Sequence, residues 1–221
     1  ATPVGNELNL FWTSNRRSIQ AAYVDGSFRR EIVPAPASSD LNISSLAVDD
    51  GPRRALYWLD NISQTILRAA LDGSGRVDIF AAPNPDSITA LLGQVVVPGQ
   101  IDLAVDDQGN RLYWSANGDL HAVDADGTDR GQIIAAARDL ARQRDSHVIA
   151  VDREYGAIYY SNTFGEIHKA RLDGSEARLL VGGLGSYVTD LAMDRVNNHL
   201  YWGLRTNGAT WRVQRSDLEG R

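Results

Sequence analysis

The sequence predicts an all-β protein made of repeated four-stranded units, and three recurring markers predict it. An aromatic pair returns five times, as Phe11-Trp12, Tyr57-Trp58, Tyr113-Trp114, Tyr159-Tyr160 and Tyr201-Trp202, its second members 42 to 56 residues apart. An acidic residue with glycine follows each pair: Asp25-Gly26, Asp72-Gly73, Asp126-Gly127, Asp173-Gly174 and Glu219-Gly220. An apolar run ending in aspartate precedes four of the pairs: Leu46–Asp49, Leu103–Asp106, Ile149–Asp152 and Leu191–Asp194.

Each unit reads as four short strands, A to D. In the second unit these are Leu46–Asp49, Leu56–Leu59, Ile66–Leu71 and Arg76–Phe80. Strands of this length, separated by Gly, Asn, Asp and Pro, suit β-structure. Asp-Gly between C and D signals a tight turn, because glycine takes a positive φ without strain. Helical periodicity is confined to Ile133–Arg144, which predicts a short exposed helical segment. Repeats of about 40–45 residues with four strands each describe propeller blades. The blades run over approximately 1–37, 38–82, 97–136, 145–182 and 185–221 of a single domain. The first unit lacks most of strand A and the last lacks strand D. The reading is a five-bladed β-propeller, with residues 1–6 sealing the ring near the final blade; a fragment of a six-bladed ring is the competing reading.

Composition narrows the function. The 221 residues carry 22 basic and 28 acidic side chains, a net charge of −6. Nucleic acid and anionic membranes call for basic patches, so neither is expected as a partner. With no cysteine, disulfide frameworks and thiolate chemistry are excluded. No apolar run reaches the length of a membrane-spanning helix and no signal peptide opens the chain, so a soluble chain without membrane insertion is expected.

The succession Leu46-Ala47-Val48-Asp49, Tyr57-Trp58-Leu59-Asp60 and Leu71-Asp72-Gly73-Ser74 resembles the YWTD repeat, the class B repeat of the LDL-receptor family, and the resemblance covers essentially the whole chain. Asp60 is the acidic match at the fourth YWTD position, where Ser14, Ala116, Asn162 and Leu204 stand in the other units. The resemblance implies a propeller that binds protein ligands; in that family it has six blades and cysteine-rich neighbours, whereas this chain has five repeats and no cysteine.

Most recurring residues read as structural. Adjacent aromatics in strand B point to opposite faces and fill the wedges between blades. The aspartate ending strand A accepts backbone hydrogen bonds in the A–B turn. His121 and His168 occupy equivalent places in strand C and read as blade-surface residues.

Recognition is expected where the units differ. The D-to-A connections vary, with 81–100 and 135–146 extended, and the B–C loops vary too, the last, Leu204–Thr210, reading as the longest. In a propeller both connections emerge on one face, which suits a recognition surface on a scaffold. Each B–C loop holds an asparagine: Asn15, Asn61, Asn117, Asn162 and Asn207. Asparagine is turn chemistry, or else a ring of amides facing solvent to meet sugar hydroxyls. Phe164 and Trp211 lie nearby, and Trp211 beside Arg205 offers a stacking platform. These eight residues are the candidate ligand-binding set. The main expectation is a multivalent, lectin-like glycan-binding propeller; the alternative is a protein-interaction propeller using the same face. No nucleophile elbow, phosphate loop or zinc motif is present, so no catalytic residue, metal or cofactor is expected. A propeller hydrolase with a central metal is the second alternative.

Overall fold

The computed structural model describes residues 10–35, 41–60, 62, 65–79, 102–106, 110–116, 119–126, 132–134, 148–162, 164–206 and 210–221. It contains five antiparallel sheets, and among the described residues no helix, so none long and apolar enough to cross a membrane. The chain divides into two compact units, 1–95 and 96–221. The first unit holds two sheets. One orders β1 (Leu10–Ser14), β2 (Ser18–Ala22) and β3 (Arg30–Val33); the other orders β4 (Ile43–Asp49), β5 (Ala55–Asp60), β6 (Thr65–Ala70) and β7 (Val77–Asp78). The second unit holds three. They are β8 (Leu103–Asp106) to β9 (Arg111–Ala116), β10 (Asp119–Asp124) and β11 (Gln132–Ile134); β12 (Ile149–Asp152) to β13 (Ala157–Ser161), β14 (Ile167–Arg171) and β15 (Arg178–Val181); and β16 (Tyr187–Asp194), β17 (His199–Thr206) and β18 (Thr210–Asp217).

Every sheet is a meander in chain order, as strands A to D require. The first sheet shows B, C and D, and the fifth shows A, B and C. Residues 1–6, expected to seal the ring, lie outside the described residues, as do the connections 81–100 and 135–146. Four boundaries differ from the sequence expectation. Strand A of the second sheet starts at Ile43, where β4 pairs with Asp60 across a bulge, and its strand D shrinks to Val77–Asp78. Ile133 and Ile134 belong to β11 and pair with His121 and Leu120, so the expected helical segment begins as a strand. The last B–C connection is short, because Leu204–Thr206 and Thr210 pair as strand. Continuous cross-strand pairing satisfies their backbone groups better than a loop would.

The turns explain their own sequences. Asp25, Asp72 and Asp173 each accept from the backbone N–H and hydroxyl of the serine two residues on, at 2.6–2.9 Å. Gly26, Gly73 and Gly174 hold φ of 81°, 86° and 82° between them. At the end of strand A, Asp49 accepts from Gly51 N at 3.0 Å, Asp152 from Tyr155 N at 3.4 Å, and Asp194 from Val196 N and Asn197 N at 3.0 Å each.

The aromatic pairs face both ways. Trp58 packs with Ile19, Ile32 and Val33 of the first sheet. In the second unit Tyr113 and Tyr160 meet in one cluster between the third and fourth sheets, and Tyr159 and Trp202 meet in another between the fourth and fifth. The second aromatic thus faces the preceding sheet and the first faces the following one. Strand C lays a flat group on the second aromatic: His121 stacks on Trp114 at 5.3 Å and His168 on Tyr160 at 5.4 Å. These histidines are part of the packing.

Candidate recognition surface

The fifth sheet differs from the other four. Its strands β16, β17 and β18 each run eight residues, longer than any other described strand. One of its faces is core: Val188, Leu191, Leu200, Trp202 and Leu204 pack onto Ala157, Tyr159 and Ile167 of the fourth sheet. Alternation along the strands sends their neighbours to the opposite face.

On that opposite face a row crosses all three strands. Tyr187 pairs with Arg205, and Arg205 pairs with Trp211. The guanidinium of Arg205 lies 5.8 Å from the Trp211 ring centre, a cation–π contact. Tyr187 is 57% exposed and Trp211 62% exposed, so both rings are open to a ligand. Val213 continues the row below Trp211 and is exposed. Arg205 has no ion pair among the described residues. Its main-chain carbonyl accepts from the Ser186 hydroxyl, which ties the start of β16 to β17.

Phe164 stands on the B–C loop of the fourth sheet and is exposed. That loop is fixed from two sides. Inside it, Asn162 Oδ1 accepts from Phe164 N at 3.0 Å and Glu166 N at 3.1 Å, and its Nδ2 donates to Glu166 Oε2 at 2.7 Å. This amide donor, helped by His168, holds the Glu166 carboxyl below the usual carboxylate range. Outside it, Leu184 N donates to Gly165 O at 3.4 Å, and the backbone of Ser186 leaves no room for a Cβ at Gly165. The loop carrying Phe164 is thereby fastened to the residues that lead into Tyr187. Immediately after the bulge in β16, desolvation pushes the Asp190 carboxyl above its usual range although the residue keeps an exposed surface.

Of the candidate set, Arg205 and Trp211 lie side by side with Tyr187 on the open face of the fifth sheet, and Phe164 stands on a loop of the fourth sheet fastened to the residues before Tyr187. Trp211 lies within β18 and not in a loop. Asn162 departs from the expected ring of solvent-facing amides: it is 1% exposed and its amide is used inside its own turn. Asn15 is exposed in the first unit, in the turn between β1 and β2, with a φ of 52° and the next residue, Arg16, also left-handed at 57°. Asn61, Asn117 and Asn207 lie outside the described residues. Tyr187 escaped the sequence reading because it opens an apolar strand-A run. Among the described residues no group of three His, Cys, Asp or Glu side chains could hold a metal ion. Two aromatic rings with a guanidinium between them can stack on and orient a ligand.

No protein-family model matches the chain. It is 30% identical to human low-density lipoprotein receptor-related protein 5-like protein over 67% of this chain and 53% of that protein. It is 23% identical to low-density lipoprotein receptor-related protein 1 of Pyricularia oryzae, over 83% of this chain and 81% of that protein. Against mouse low-density lipoprotein receptor-related protein 5 the identity is 29% over 75% of this chain and 10% of that protein. The chain thus spans about half of the first relative and a tenth of the third. In solved structures its fold matches a chain of the nidogen/laminin complex with a TM-score of 0.67 at 18% identity, covering 89% of this chain and 69% of that one. It also matches virginiamycin B lyase from Staphylococcus aureus with a TM-score of 0.52 at 13% identity, covering 94% and 68%. Both neighbours are β-propellers. With its repeated aromatic pairs, its meander sheets and these relatives, the chain belongs to the YWTD-repeat family of β-propellers, the class B repeats of the LDL receptor and its kin.

Proposed function

We propose that this chain is a binding propeller, not an enzyme, whose ligand is a protein, engaged through Tyr187, Arg205 and Trp211 with Phe164 alongside. The observation that carries the reading is the exposed aromatic–arginine–aromatic row across the fifth sheet. Trp, Tyr and Arg are the side chains that dominate protein–protein binding energy, because they bury large area at low entropic cost and fix orientation. The relatives bear receptor-related names, and the nidogen neighbour was solved in complex with laminin. The repeat units, with the boundaries given above, are read as five blades.

The multivalent glycan reading needed near-equivalent amide sites. The buried Asn162 takes one away, and the exposed row of Tyr187, Arg205 and Trp211 favours one asymmetric patch over several equal sites. Nothing in the relatives supports a glycan ligand.

The test is capture. The chain and a Tyr187→Ala/Arg205→Ala/Trp211→Ala variant are immobilised, proteins of the source organism are passed over both, and a glycan array is probed in parallel. The reading expects a protein retained by the native chain and lost from the variant, with an empty array. A discrete glycan bound at several equal sites would restore the lectin reading.

A further inference from the structure

The fourth sheet has a cleft of about 480 Å³ at the end of β13 and β14 away from Phe164, where its A–B and C–D turns meet. Three cations line it, Lys169, Arg171 and Arg178, together with Tyr155 and Glu176. Register explains their convergence. Lys169 pairs with Arg178, and Arg171 follows Lys169 by two residues in β14, so all three leave one face of the sheet. At the equivalent positions the first sheet has one cation, Arg30, the second has one, Arg68, and the third has none. Lys169 is also the sole lysine of the chain.

Two glutamates hold this charge in place. Glu176 pairs with Arg171 at 2.8 Å, and both side chains are exposed. Glu219 reaches from the fifth sheet to Lys169 at 2.8 Å and to Arg178 at 2.5 Å. It can do so because its turn is capped differently. In the first, second and fourth sheets the turn aspartate accepts from the residue two places on, whereas in the fifth Asp217 accepts from Arg221 N. Lys169 also donates to the Leu218 carbonyl and lies 5.5 Å from the Tyr159 ring centre. Among the described residues, three positioned cations thus share two carboxylates.

The open mouth belongs to the repeat. Ser27 and Ser175 close matching turns, so Phe28 is the equivalent of Glu176. Phe28 is 73% exposed, although the second sheet runs on past its C–D turn into strand D. This position is therefore open even where the following blade continues beyond its turn.

We propose that the cleft binds a small organic anion carrying two or more negative groups, with Lys169, Arg171 and Arg178 on its charges and the exposed ring of Tyr155 against its body. The volume suits a ligand of that size. Guanidinium forks match the paired oxygens of carboxylate and phosphate, and an exposed tyrosine offers a flat apolar face. The site lies apart from the Tyr187–Arg205–Trp211 row and does not depend on the ligand met there.

Citrate and pyrophosphate are the probes, with acetate as the single-charge control and hexaglutamate as the peptide control. Each is titrated into the chain at low salt and read from heat and from the amide signals of residues 155–157 and 169–178. Citrate, pyrophosphate or both should move those signals, bind about tenfold or more tightly than acetate, and weaken as salt rises. Which of them binds tells carboxylate from phosphate. Arg171→Gln should weaken binding about tenfold or more with its melting temperature unchanged, since an exposed ion pair holds little stability. Glu176→Gln should act in the opposite direction and tighten binding by releasing Arg171. An ion pair that only supports the turn would not give these opposite signs. Trp211→Ala should bind the probes normally, which keeps this site distinct from the aromatic row. No shift with either probe, binding indifferent to both substitutions, or acetate binding as tightly would overturn the proposal. So would hexaglutamate binding more tightly than either small anion, which would make the cleft a docking face for an acidic protein segment.

Discussion

Gly73 lies directly against the main-chain carbonyl of Ile32, so close that a methyl group at Gly73 would overlap the carbonyl oxygen. Gly220 repeats the relationship in the second unit against the carbonyl of Leu180. The turn glycine of one sheet thus rests on strand D of the sheet before it, and the Asp-Gly marker serves packing as well as turn geometry. Gly26 has the same positive φ but nothing within reach of an added Cβ. Gly26→Ala should cost only the left-handed backbone strain, about 1–2 kcal/mol. Gly73→Ala should add the overpacking term, about 1–3 kcal/mol more. Chemical denaturation of the two variants compares them; equal costs would mean that the Ile32 contact yields freely.

Trp58 and Trp211 test the division between core and surface. Trp58 is fully buried in the core of the first unit, so Trp58→Ala should cost about 3–5 kcal/mol. Trp211 is exposed, so Trp211→Ala should change stability by no more than about 0.5 kcal/mol. A large melting-temperature loss in Trp211→Ala would make it a packing residue.

The turn aspartates set an acid limit. Serine hydroxyl and backbone donors hold the carboxyls of Asp25, Asp72 and Asp173 below their ordinary value of 3.8. A carboxyl lowered by folding stabilises the fold above its unfolded value and loses that contribution as pH falls through the folded value. These turns should therefore be indifferent to pH above about 5 and weaken below about 4. Thermal melts of Asp72→Asn/Asp173→Asn should start lower and decline less over that acid range; a parallel decline would assign acid sensitivity elsewhere.

Asn162 and Asn15 should part company. Asn162→Ala leaves two backbone donors and Glu166 without the partner that the buried Asn162 side chain supplies, at about 1–3 kcal/mol. Asn15→Gly keeps the left-handed turn and should be close to neutral. Denaturation midpoints decide it. A stable Asn162→Ala would mean that its hydrogen bonds are dispensable to the turn.

Local chemistry was legible in the sequence. Asp72-Gly73-Ser74 announced its turn, Leu46–Asp49 its strand, and Tyr57-Trp58 its two packed faces, because each depends on neighbours within a few residues. Strand ends were less so. The polar run after Leu204 reads as loop, yet Arg205 finds Trp211 opposite it and the hairpin extends. Ile133 likewise reads as helical until it pairs with His121 in β11. Tyr187 was hidden for a different reason. Its surroundings in sequence are those of a core strand, and its exposure follows from what packs on the sheet: the fourth sheet covers one face of β16 and β17, and Tyr187 is on the other.

Affinity of the captured protein partner for Tyr187→Ala, Arg205→Ala and Trp211→Ala, each titrated beside its own thermal melt, tests the protein-binding role most directly. Each variant should keep its melting temperature and lose about tenfold or more in affinity, the range of an interface hot spot. The Arg205 and Trp211 losses should be non-additive, since the two side chains touch. Full affinity in all three, with the fold intact, would contradict the account and move the site off the fifth sheet.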